Sequence, residues 1–176
     1  MDISQVAYER TGVSKSVTNL VENLLKEDTK NEYTFFFSSL RGSLSKEFLQ
    51  KLSGGTNVKL RTYKIPQSLL TLFWNELHIL PIEWLVGQVD VFVTSDWTEP
   101  PTKKAKKVTF VHDLTPFLFP NETDSKIIRN HKLKLAWAKK ECEAFICPSE
   151  STKKDLEKLF DVKPEKVHVV KWGVGA

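Results

Sequence analysis

His112 and Asp113 follow the run Val108-Thr109-Phe110-Val111 and precede Leu114-Thr115-Pro116. β-Branched and aromatic residues that end abruptly in a polar pair and a turn read as a buried strand carrying an imidazole and a carboxylate to a sheet edge. An imidazole there can hold a substrate hydroxyl or move a proton, or it can be a satisfied structural group. The carboxylate can face a ligand or only order the turn. In an open α/β sheet ligands bind in the crevice outside the carboxyl ends of the strands, which makes the pair a site candidate. Two further stretches offer chemistry. Thr11-Gly12-Val13-Ser14 opens a helix, where a glycine serves either a tight turn or close approach of the backbone to a ligand, and the first N–H groups suit an anion. Pro148-Ser149-Glu150-Ser151 opens another, and a cap by Ser149 or Ser151 suffices to explain its serines.

The surrounding pattern supplies the elements that would position these residues. A short apolar run over residues 2–7 leads through Gly12 to Val17, Leu20, Val21, Leu24 and Leu25 at helical spacing, a strand–turn–helix unit. It lacks the three glycines of a dinucleotide fingerprint and gives no support to a nicotinamide enzyme. Tyr33-Thr34-Phe35-Phe36-Phe37-Ser38-Ser39 reads as a buried strand, residues 44–52 as a short helix, and residues 57–65 as an alternating strand nearer a sheet edge. Pro66 opens a helix over 67–78, and Pro81 restarts it to Gly87. Trp74 and Trp84 are expected in the core or along a groove. Residues 89–94 form a fourth strand and residues 95–101 a loop at its carboxyl end. A helix over 124–140, strands over 143–147 and 166–170, and a helix ending at Phe160 complete the set. About seven strands alternating with helices imply an α/β, doubly wound, mostly parallel sheet with helices on both faces, in one Rossmann-like domain over residues 1–176.

Composition narrows the class. A chain of 176 residues, 40% apolar and 27% charged, suits one globular domain. Cys142 and Cys147 match neither a metal pair nor a redox motif and read as two buried thiols, which favours a reducing cytoplasm. No secretory leader pattern is present, and no apolar run approaches the ~18 residues of a spanning helix. The net charge of +4 is concentrated after residue 100, with sixteen Lys/Arg against ten Asp/Glu. Lys103, Lys104, Lys106 and Lys107 read as a solvated turn. Over 126–140 no acid interrupts Lys126, Arg129, Lys132, Lys134, Lys139 and Lys140, while Ile127, Ile128, Leu135 and Ala138 share an inward face. Such a helix can lie on an anionic membrane surface. No aromatic platform interleaves the cations, and nucleic acid is not expected.

Four segments in order resemble the amino-terminal domain of retaining glycosyltransferases of the GT-B fold, family 4, also called glycosyl transferases group 1. They are Thr11-Gly12-Val13; Val111-His112-Asp113-Leu114-Thr115-Pro116 with Phe119-Pro120; Ile146-Cys147-Pro148-Ser149-Glu150-Ser151 running into Lys154-Asp155-Leu156; and Lys166-Val167-His168-Val169-Val170 closing on Gly173-Val174. The resemblance implies one half of a GT-B fold, the acceptor-side domain, with a second nucleotide-sugar-binding domain absent from this chain and the isolated half inactive. It implies that His112 contacts the transferred sugar as the catalytic residue. It places Gly12, Val13 and Ser14 beside donor phosphates and acceptor, Asp113 at the turn, and Ser149 and Glu150 near the interdomain face. The implied partners are a nucleotide-sugar donor and a sugar or lipid-linked acceptor, with no cofactor and no metal. The expected location is the cytoplasm, with peripheral contact to the inner face of the membrane through residues 126–140. A second function class stays open at this level: a non-catalytic Rossmann-like module that binds a nucleotide or an anionic surface.

Overall fold

The computed structural model describes residues 1–8, 11–55, 57–94 and 97–171. In chain order the main elements are α1 (Gly12–Glu27), β1 (Tyr33–Ser38), α2 (Lys46–Ser53), β2 (Val58–Tyr63), α3 (Gln67–Leu70), α4 (Glu83–Val86), β3 (Val91–Thr94), β4 (Lys106–Phe110), α5 (Thr115–Leu118), α6 (Ser125–Glu141), β5 (Cys142–Cys147), α7 (Glu150–Phe160) and β6 (Val167–Val169). All strand pairs are parallel: β1 with β2, and β3-β4-β5-β6 in that order.

The chain's first residues join these two groups. Phe36 N donates to Met1 O at 2.9 Å, Ile3 N to Phe36 O at 2.8 Å, and Asp2 N to Val93 O at 2.9 Å, so residues 1–3 lie between β1 and β3. The sheet is therefore wound in both directions from its first segment, and the switch point falls between residues 1–3 and β3. Among the described residues the strand count is six rather than about seven. Beyond the single bridge Asp2–Phe36, the Asp2 carboxylate accepts from Ser4 N at 2.8 Å and Ser4 Oγ at 2.6 Å. That local bond turns the backbone into a 3-10 helix, Ser4–Ala7, where the short apolar run suggested strand.

Consecutive phenylalanines show why helices cover both faces. Phe35 and Phe37 pack with Val17 and Val21 of α1 and Phe48 and Leu52 of α2, while Phe36 packs with Leu70, Trp74, Ile82, Val86 and Phe92. All three are within 3% of complete burial, as alternation across a two-sided sheet requires. A third cluster joins β5 and β6 to α6 and α7 through Leu135, Ala138, Phe145, Leu156 and Val167. Both cysteines are free and buried within it, as their spacing suggested.

Two helical expectations need correction. The helix expected over 67–78 is α-helical only to Leu70 and continues as a π-helix, Thr71–Glu76. Its wider turn brings both Trp74 and Asn75 to complete burial. Trp84, by contrast, is exposed, with the Lys103 ammonium 4.9 Å above its ring. In α6, Ile127 lies outward and Lys134 inward, because Thr109 and the Phe110 carbonyl supply partners for a buried ammonium.

Candidate functional site

At the switch point the loop after residues 1–3 is folded on itself. Ser4 Oγ, held by Asp2, accepts from Ser38 N at 3.0 Å, tying the loop to the end of β1. Thr11 caps α1, its Oγ1 accepting from Ser14 N at 3.1 Å. Gly12 follows, exposed, and a side chain added there would meet nothing within 4 Å. The first turn of a sixteen-residue helix is thus presented open, with Gly12 and Val13 contributing N–H groups that have no partner within the helix. Ser14 is used differently: it is buried, and its hydroxyl reaches Val6 O at 3.4 Å, bracing the loop from inside.

The His112 corner leaves the carboxyl end of β4. Val111 N donates to Ile146 O at 2.9 Å, extending the pairing one residue past the strand. Val111 and Leu114, both 2% exposed, anchor the corner on either side of His112, which is itself 9% exposed with its ring stacked near Phe110 at 6.0 Å between centroids. Asp113 is exposed, and its Oδ1 accepts from Thr115 N at 2.9 Å, an Asx turn that starts α5. Parallel strands are about 4.8 Å apart, and one strand, β3, separates residues 1–3 from β4. Residues 1–3 and β4 are therefore about 10 Å apart across the sheet, and the α1 start follows the first of them as the His112 corner follows the second.

One strand further on, Ser149 caps α7, its Oγ accepting from Thr152 N at 3.1 Å, and Glu150 stands exposed in the first turn. This use is structural and testable. Ser149→Ala is expected to cost about 1 kcal/mol and lower the melting midpoint by about 2–4 °C, while Ser149→Asp holds it. Thermal unfolding followed by circular dichroism checks this; equal midpoints for the alanine variant and the parent would show that the cap contributes nothing.

Behind the carboxyl ends of β3 and β4 lies a buried polar network that the sequence pattern did not reveal. Lys134 Nζ donates to Thr109 Oγ1 at 2.6 Å and to Phe110 O at 2.9 Å. The Thr94 hydroxyl is 2.9 Å from Glu99 Oε2 and 2.8 Å from Thr109 Oγ1. Each hydroxyl has one proton, and Glu99 as a carboxylate only accepts; Thr94 therefore donates to Glu99 and Thr109 to Thr94. Glu99 Oε1 accepts from Lys107 Nζ at 3.2 Å and from the Cys142 thiol at 3.2 Å. Lys107 also donates to Pro100 O at 2.9 Å and to Glu141. Glu99, Lys107 and Lys134 are each no more than 1% exposed. Burial alone would lower the pKa of Lys107, but Glu99 and Glu141 together hold it above the ordinary lysine value. Burial first, then Glu99, push the Cys142 thiol well up, which keeps it protonated. Lys107 therefore does not belong to a solvated turn, and Lys134 does not belong to a basic outer face.

A family model, Glycosyltransferase Family 4, matches residues 10–175. The chain belongs to glycosyltransferase family 4. No curated protein matches it. In this family 4 domain Gly12 and Val13 open α1 after residues 1–3 and the 3-10 helix, His112 and Asp113 follow β4, and Ser149 and Glu150 follow β5, which is how residues far apart in sequence come to the carboxyl side of one parallel sheet. Gly173 and Val174, which close the last motif, lie outside the described residues. Among the described residues no three His, Cys, Asp or Glu side chains gather as a metal site, and no helix is long and apolar enough to cross a membrane.

Proposed function

We propose that this chain is the acceptor-side domain of a retaining glycosyltransferase that moves a sugar from a nucleotide-sugar donor to an acceptor hydroxyl, and that it acts together with a second, donor-binding domain. The observation that carries the reading is the pairing of an open α1 start at Gly12 with the anchored His112 corner on the same rim of a family 4 domain. In this mechanism the bond from the anomeric carbon to the leaving phosphate breaks through an oxocarbenium-like state, and the acceptor oxygen bonds to the same face of that carbon as its proton passes to the leaving phosphate oxygen. Negative charge grows on the phosphate, where the Gly12 and Val13 N–H groups and the α1 dipole stabilise it. His112 holds a hydroxyl of the transferred sugar; Asp113 keeps the corner in shape through its bond to Thr115 N.

The test is direct. The protein joined to its donor-binding half is incubated with nucleotide sugars, and proton NMR follows the anomeric signal of the product. Transfer with the donor's anomeric configuration supports the reading; an inverted product removes its retaining part, and no consumption of any nucleotide sugar removes the whole. Contact of α6 with a membrane has weaker support than its composition suggests. Lys134 is buried, Arg129 pairs with Glu76 at 3.1 Å, Lys139 with Asp161 at 2.9 Å, and Lys140 covers the Trp137 ring.

A further inference from the structure

Three of the most exposed large apolar side chains among the described residues fall close together in the chain: Leu77, Ile79 and Trp84, exposed by 53%, 50% and 63%. A strained turn holds the first two outward. His78 and Leu80 have φ of +50° and +71°, in the left-handed region that bulky side chains adopt only under constraint. His78 Nδ1 lies 2.8 Å from Trp74 O, its Nε2 lies 2.8 Å from Glu141 Oε1, and its ring stacks on Trp137 at 3.6 Å. Trp74 Nε1 donates to Leu80 O at 3.0 Å, and Ile79 N to Phe73 O at 2.8 Å. These bonds turn His78 inward and leave its neighbours Leu77 and Ile79 in water. A turn built against its own backbone preference to keep two hydrophobic side chains in solvent calls for something that covers them.

Trp84 is fixed to a loop of lysines. Glu83 Oε1 accepts from the N–H groups of Lys103, Lys104 and Ala105 at 2.8, 3.0 and 3.1 Å, and Ile82 N donates to Pro101 O at 3.0 Å. Lys103, Lys104 and Lys106 are exposed and line an open groove of about 840 Å³ with Glu83, Asp90 and Val91. Glu83 is committed to backbone N–H groups, so Asp90 is the remaining acid of the groove against three ammonium groups. Both parts of this surface lie on the amino side of the sheet. Lys106 opens β4, and Glu141, which holds His78, is the last residue of α6 before β5. The length of β4, five residues or about 16 Å, separates this face from the His112 corner.

The kind of partner follows from the side chains. Protein–protein interfaces combine aromatic residues with arginine and are depleted in lysine. Here every cation is a lysine, a flexible point charge without the fork that grips a carboxylate. Tryptophan and lysine beside aliphatic side chains suit the headgroup layer of a bilayer, where the indole lies at the interface and the ammonium groups meet phosphates. We propose that Leu77, Ile79, Trp84, Lys103, Lys104 and Lys106 form a docking surface for an anionic membrane. The contact is made by this face rather than by the outer face of α6, and it leaves the carboxyl side of the sheet clear of lipid.

The protein is sedimented with vesicles of phosphatidylcholine alone and with about 30% phosphatidylglycerol, in about 0.05 M and about 0.5 M salt. It is expected to bind the anionic vesicles at low salt, and about fivefold less at high salt or on the neutral vesicles. Trp84→Ala, Leu77→Ser/Ile79→Ser and Lys103→Ala/Lys104→Ala/Lys106→Ala are each expected to lower the bound fraction about fivefold, while Lys126→Ala/Lys132→Ala in α6 leaves it within about twofold. All these side chains are exposed, and circular dichroism melting checks that the variants fold. Brominated lipid should quench tryptophan fluorescence in the parent and much less in Trp84→Phe, a readout that stands if an alanine variant does not fold. No binding to anionic vesicles at low salt would overturn the proposal. So would binding that the α6 pair abolishes and the Trp84 and Leu77/Ile79 variants leave intact, which would return the contact to α6. Binding of polyglutamate to these lysines with none to vesicles would assign the face to an acidic protein and overturn it as well.

Discussion

His112→Ala is expected to lower sugar transfer by roughly 10²-fold, the cost of losing correct placement of a reacting group. The corner that carries His112 is built independently of it. Val111 and Leu114 are the buried anchors, and the turn is closed by Asp113 and Thr115. The alanine variant should therefore fold, and a retained cooperative melting transition checks that. His112→Asn keeps a hydrogen-bond donor on a shorter stem and is expected to recover part of the rate. The pH profile separates placement from proton transfer. A placement role lowers kcat by the same factor at every pH, whereas an acid–base role removes one limb of the profile. Turnover within twofold of wild type in a folded alanine variant would end the assignment.

Much of the fold was legible because its signals are local. The triple phenylalanine at 35–37 reads as a strand buried on both sides and is one. A cap by Ser149 or Ser151 is what the sequence suggests, and Ser149 is the one that caps; the His112 corner stands where a strand-end polar pair should. What the pattern hid depends on partners distant in sequence. Lys107 is one of five residues in a basic-looking run, and nothing near it shows that Glu99 and Glu141 will surround its ammonium. Lys134 sits among the cations of α6, yet its position one turn before Ala138 on the inward face was the available signal. Asn75 was hidden more deeply. The register of an α-helix gives no warning of a π-helical turn, and a buried asparagine is explained only by the peptides of Trp97 and Glu99 that it holds. Residues 2–7 failed for the opposite reason: the Asp2–Ser4 bond is local, but the short apolar run outweighed it in the reading.

Replacing Lys107 by methionine is expected to be strongly destabilising. The methionine fills much of the same space, so the cost comes from Glu99, left as a completely buried carboxylate that keeps, among the described residues, the Thr94 hydroxyl and the Cys142 thiol but no cation. Removing one partner of a buried ion pair costs about 3–5 kcal/mol. Removing both charges costs less than the sum, because Lys107→Met/Glu99→Gln leaves neither ion stranded at that contact. Urea unfolding of the four proteins of this cycle should give a coupling of about 1–3 kcal/mol, and strict additivity would show that the pair does not act as one unit. The same network fixes how stability responds to pH. The Glu141 carboxyl feels burial, which raises its pKa, but Lys107 and then His78 hold it below the ordinary value of 4.5. A lowered folded value means that this contribution is complete above pH 4.5 and is lost as pH falls through the lower, folded value. For Lys107, held above 10.5, the contribution is complete below that pH and is lost as pH rises through the folded value. Glu141→Gln should therefore flatten the acid limb of the stability curve and leave its neutral plateau free of any new slope. An acid limb as steep as the parent's would place the responsible carboxylate elsewhere.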